Sequence, residues 1–124
     1  MNSIQLPFLV EAILVAVTML LGFLLRKAGK PYGKLKLVAH IFFYLWFTTG
    51  FWFIASTIAP SKVGLATSTL VGTMGLMILV QLGTGIAMMI ARIPGKTLPK
   101  VHLVAAFALL FADIGAFVGA GISR

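Results

Sequence analysis

The sequence predicts an all-α protein, a single four-helix transmembrane bundle of up-down-up-down topology built from a duplicated helical hairpin. Three observations lead there. The 124 residues are 60% hydrophobic and only 10% charged, with a mean hydropathy of +1.11, too few polar groups to cover the outside of a soluble core. The apolar residues fall into four runs long enough to cross a bilayer, which takes about 20 residues each. The basic residues gather at the ends of those runs, and on one side.

The first run spans about 6–25 and is closed by Arg26, Lys27 and Gly29. It lacks the small-residue cleavage pattern of a secretory signal, and Glu11 interrupts it, so a retained helix is expected. The second spans about 37–59 and ends at Pro60; the third spans 63–91, before Arg92 and Pro94; the fourth spans 100–122. Gly, Pro and Lys separate the runs, as in short turns between antiparallel helices. The runs are continuous, without the strict alternation of a membrane β-barrel.

Orientation follows from the positive-inside rule. Arg26, Lys27, Lys30, Lys34 and Lys36 lie between helices 1 and 2, and Arg92, Lys96 and Lys100 between helices 3 and 4; the opposite side has Lys62 and Arg124. Eight against two places both loops in the cytoplasm and both termini outside, in a prokaryotic-type inner membrane. The formal charge of +8 therefore reports membrane topology and not a phosphate-reading face, and no nucleic-acid partner is expected. With no cysteine, disulfides, thiolate zinc sites, cysteine-held iron–sulfur clusters and thiol nucleophiles are excluded. No Ser/His/Asp triad, phosphate-cradling loop or HExxH helix is present.

The two halves resemble each other where the second helix of each hairpin begins. Lys30-Pro31-Tyr32-Gly33-Lys34-Leu35-Lys36 leads to His40; Arg92-Ile93-Pro94-Gly95-Lys96 leads through Lys100 to His102. Aligning the histidines aligns Gly33 with Gly95 and Lys34 with Lys96. Helices 2 and 4 start from the same side and are diagonal partners in a bundle. The only two histidines of the chain thus lie at matched depth, about one turn inside. Two imidazoles facing across a bundle suit the two axial positions of a haem iron. Lys34, Lys36, Lys96 and Lys100 lie at the same level, where they are candidates to pair with haem propionates. A histidine near a membrane boundary also sits in the headgroup region without any ligand. Zinc fits less well, because two histidines leave its shell short.

With these residues in view, the chain resembles the small four-helix membrane b-type cytochromes, in which histidines near the starts of even-numbered helices hold haem b. The stretch Lys36…His40…Trp46…Gly50 is similar to the helix opening of several small haem-associated membrane families. The resemblance implies one haem b, ligated by His40 and His102, and electron transfer with a quinone or with partner subunits of a redox complex. Diheme members carry a second histidine pair, which this sequence lacks.

Glu11 and Asp113 are the only acidic residues, and both fall within spans. An ionised carboxylate in hydrocarbon is costly, so each must be protonated, paired or facing a wet cavity. They are candidates for a proton or quinol site in the half of the membrane away from the histidines, or for an interhelical hydrogen bond. Glu11, early in the first of four short helices, also resembles the small multidrug resistance transporters, which defines a proton-coupled alternative. The tryptophan expected in helix 3 of that family is missing; Trp46 and Trp52 both lie in helix 2. A third class is a cofactor-free structural subunit of a membrane complex or homo-oligomer. Gly115 and Gly119, together with Gly64, Gly72, Gly75, Gly83 and Gly85, are expected to let helices approach closely. The helix 2 aromatics are expected at lipid or an interfacial belt, and Met74, Met77, Met88 and Met89 in packing.

Overall fold

A computed structural model describes residues 1–28, 33–58, 60–90 and 95–122, with side chains in the third segment described from residue 63. Lys30, Pro31, Tyr32, Arg92, Ile93, Pro94 and Arg124, and the side chain of Lys62, lie outside the described residues. The chain forms four α-helices: α1 (Gln5–Ala28), α2 (Lys34–Thr57), α3 (Pro60–Ile90) and α4 (Thr97–Ile122). All four are long and apolar enough to span a membrane.

The expected spans hold, with shifted ends. α1 continues past Leu25 through Arg26 and Lys27, and α2 and α4 begin three residues earlier than their apolar runs. Basic residues are good helix formers, and long side chains let charges reach the headgroups while the backbone stays helical. α3 is interrupted at Gly64, where φ is 79° and ψ 169°. That conformation is open to glycine alone, so Gly64 breaks the helix there. In lipid a helix satisfies its backbone internally, and the hydroxyls add to this: Ser68, Thr69 and Thr73 donate to the carbonyls of Gly64, Leu65 and Thr69.

α1 packs on α2 and α4, α3 packs on α4, and α2 and α3 barely touch. The difference between the two inter-hairpin seams is written in the side chains. With His40 superposed on His102, Phe47, Phe51 and Ile54 of α2 and its C-cap Ile58 match Leu109, Asp113, Ala116 and Ala120 of α4. The small α4 residues let α1 lie close, and Ala116 is fully buried. The bulky α2 residues hold α3 away, with Phe51 set against Gly75. Gly115 and Gly119 bring α4 against Leu70 and Thr67 of α3, whereas Gly72 and Gly83 face open space. The core unites Phe8, Leu14, Val15, Phe47, Phe51, Met74, Ile78 and Leu109.

The outward faces carry Leu20, Trp46, Trp52, Phe53, Leu79, Phe111 and Val118, each at least half exposed. Such a surface is at home in hydrocarbon, and the protein is a multi-pass membrane protein. The aromatics of α2 divide accordingly: Phe42, Trp46, Trp52 and Phe53 face outward, while Phe47 and Phe51 are core.

Without a hydrophobic drive between helices, packing holds the α1–α4 seam together. Replacing Ala116 by leucine is expected to cost about 1–3 kcal/mol through overpacking. Val118→Leu on the lipid face should stay within about 0.5 kcal/mol of the parent. Reversible unfolding in mixed micelles measures both.

Candidate functional site

A cavity of about 520 Å³ opens at the end of the bundle where α1 and α3 finish and α2 and α4 begin. All four helices contribute walls, including Thr18, Met19 and Gly22 from α1, Leu37, His40 and Tyr44 from α2, Gln81, Gly85 and Met88 from α3, and Pro99, His102 and Ala106 from α4. The space exists because α2 stands off from α3. One hydrogen bond bridges that seam, from the Tyr44 hydroxyl to the Ile78 carbonyl at 2.7 Å.

His40 and His102 meet across this cavity. Their ring centroids are 6.5 Å apart and their planes are inclined by 59°. Each ring is also anchored by one nitrogen. The His40 Nδ1 lies 2.8 Å from the Thr18 carbonyl oxygen; a carbonyl only accepts, so Nδ1 carries the proton and Nε2 keeps its lone pair. The His102 Nδ1 lies 2.7 Å from the Thr84 hydroxyl. That hydroxyl donates to the Val80 carbonyl at 2.7 Å, so its oxygen accepts the Nδ1 proton and Nε2 is again the free nitrogen. Gln81 adds a 2.6 Å bond from its amide nitrogen to the His102 carbonyl, which fixes the α4 backbone against α3.

The duplication extends further than the helix openings. Gly22 lies beneath His40, where an added Cβ would come within 3.1 Å of the ring carbon Cε1. Gly85 lies beneath His102, at 3.5 Å from the same ring atom. In each hairpin the odd-numbered helix offers a glycine for the ring to rest on and a nearby acceptor for Nδ1. The spacing signal was present in the sequence, since Gly22 precedes His40 by nearly the interval at which Gly85 precedes His102. It becomes visible only once the facing residues are known.

The basic residues sort differently from expectation. Lys96 borders the cavity, as expected, and so does Arg26 from the last turn of α1. Lys34, Lys36 and Lys100 do not line it. Lys34 and Lys36 are exposed on the first turn of α2, and Lys100 borders a separate shallow groove between α3 and α4. For Lys100 helical rotation is the reason: two residues before His102, at about 100° per residue, it points away from the ring. Met88 and Met89 line the cavity, while Met74 is core.

Glu11 and Asp113 are apart from this site. Both are buried, Glu11 at 3% exposure and Asp113 at 0%, toward the end of the bundle that carries the chain termini. Asp113 is 11 residues beyond His102 on α4, about 16 Å along the axis. Among the described residues, no group of three or more His, Cys, Asp or Glu side chains is placed to hold a metal ion. A site here therefore rests on the two imidazoles. In comparisons with known proteins, no family model, curated protein or solved structure matches this chain.

The Tyr44–Ile78 bond sets the width of the cavity and is the one described side-chain hydrogen bond across its seam. Tyr44→Phe is expected to lower stability by about 0.5–1.5 kcal/mol. The same micelle unfolding titration reads this.

Proposed function

We propose that this protein is a membrane-bound b-type haem protein that carries electrons, with one haem b held between His40 and His102. The observation that supports the reading is the facing pair of rings, each tethered through Nδ1 with Nε2 left free. A metal–imidazole bond is about 2 Å long, so two such bonds plus two half-rings span about 6 Å, close to the 6.5 Å between the centroids. Metal-ligating histidines characteristically give their other N–H to a carbonyl or similar acceptor, which fixes the tautomer and the ring orientation. Both histidines do so here.

The cavity suits a flat, largely apolar ligand with an acidic edge. Its walls are apolar over most of their area, and Arg26 and Lys96 stand at its border, where they would pair with propionates. Bound haem would supply reversible one-electron chemistry. The chain's own groups would hold the ligand: His40 and His102 would offer their Nε2 atoms, and the apolar lining would shield it from water. The loops are short, so electrons would come from a lipid-soluble quinol or from a neighbouring membrane subunit. The transporter alternative draws less support: Glu11 is buried against Gly50 and lies far from the cavity.

Purified protein should show a Soret band and sharp reduced α and β bands, at one haem per chain. His40→Ala and His102→Ala should each abolish them; a folded, colourless parent protein would end the proposal. Thr84→Val, which removes the Nδ1 acceptor of His102, should weaken haem binding by about 10–100-fold, measured by transfer of haem to an apo-acceptor protein.

The same reading sets the cavity at the cytoplasmic face of an inner membrane, with both termini outside, from the distribution of Lys and Arg. A single cysteine placed at Asn2 should react with an impermeant maleimide added outside intact cells. One placed at Lys36 should react only after lysis. The reverse pattern would invert the topology.

A further inference from the structure

At the opposite end of the bundle the two acidic side chains of the chain are brought together in an apolar setting. Glu11 projects from α1 and Asp113 from α4 at the close seam, whose antiparallel register, with Asn2 bonded to Ala120 and Gln5 to Phe117, sets the two at nearly the same level. The Oε2 of Glu11 and both carboxyl oxygens of Asp113 are buried without a hydrogen-bond partner. Gly50 of α2 presses on the Glu11 carboxyl so closely that a Cβ there would overlap it.

The surroundings contain little to balance two negative charges. One turn away on the same stripes lie Phe8, Val15, Leu109 and Ala116, all buried and none with a side-chain oxygen. The lysine and arginine side chains among the described residues all lie at the histidine end; those of Lys62 and Arg124 lie outside the described residues. α3 has no charged side chain from residue 63 to residue 90, and the titratable groups of α2, His40 and Tyr44, border the distant cavity. The Met1 amine is at the exposed start of the chain. Two ionised carboxylates side by side in this setting would be severely destabilising. A hard metal cation would collect six or more oxygens, and two carboxyls offer at most four. A single proton needs only two oxygens.

We propose that Glu11 and Asp113 form one proton-binding site, holding an exchangeable proton between them. The seam supplies a route to it. Asn2 donates from its side-chain amide to the Ala120 carbonyl at 3.1 Å, and Gln5 likewise to the Phe117 carbonyl at 3.2 Å. Polar groups thus run along the α1–α4 seam from the chain end as far as Gln5. Phe8 occupies the next turn, and the acid pair follows. The site takes its proton from the aqueous side that bears the termini, and Phe8 is the barrier on the way. The inference is independent of haem, since the pair is present with or without a ligand at the histidines.

Infrared spectroscopy of the intact protein in lipid nanodiscs tests it without mutation. Only two acidic side chains exist in the chain, so a protonated carboxylic-acid stretch at neutral pH that responds to substitution of Glu11 or Asp113 is theirs and not that of a lipid ester or a haem propionate. One such band is expected, and it should move to lower frequency on transfer to D2O. Glu11→Gln and Asp113→Asn should each displace or remove that one band, and Phe8→Ala should speed the D2O shift several-fold. Absence of the band at neutral pH would overturn the proposal, because both groups would then be ionised and balanced by a cation. Two bands, each removed by a different substitution, would also overturn it, as would a band that never shifts in D2O.

Discussion

In hydrocarbon, helices are not squeezed together by water, so the distance between two of them is decided by what their facing side chains allow. Here that constraint acts unequally on two seams that the duplicated hairpins would otherwise make alike. Ala112, Ala116 and Ala120 of α4 are buried and let α1 come close. At the matching level α2 presents Phe47, Phe51 and Ile54, and α3 is held off. A bundle closed along one seam and propped open along the other must enclose space, and it encloses it between the two histidines.

The features of the cavity follow from this inequality. Because α2 and α4 are diagonal, their imidazoles reach toward each other across the opening while each rests on the helix beside it. Because α1 and α3 lie beside them, each ring finds an acceptor one helix away. Gly22 keeps room for the His40 ring, because a Cβ there would come within 3.1 Å of Cε1, and Gly85 lies at ordinary contact distance, 3.5 Å, from the same atom of His102. The tight seam has its own consequence. It buries Glu11 and Asp113 at a stretch where α4 presents the small side chains of Ala112 and Ala116. One asymmetry thus produces a roomy pocket at one end and a closed polar pair at the other.

The two ends are also suited to different cargo. The histidine end has basic side chains at its border and apolar walls, as a large flat anion-edged ligand requires. The acid end has no lysine or arginine side chain among the described residues, and the smallest ligand it could take is a proton.

Hydropathy and charge position determined the four spans, their count and their alternating direction, because burial in lipid acts on whole segments and needs no knowledge of neighbours. The matched histidines were legible for the same reason: depth along a helix is a matter of counting residues from a basic turn. Which side chains share a face across helices was not legible. Lys34, Lys36 and Lys100 have the right depth for the cavity, yet only Lys96 borders it, joined by Arg26, whose place at the end of α1 looked like a simple membrane boundary. Gly22 and Thr84 carry no chemical mark of their own, and Thr84 reads as another hydroxyl bonded to its helix. Rotation of each helix about its axis is set by packing against the other three, and that information exists only when all four are assembled.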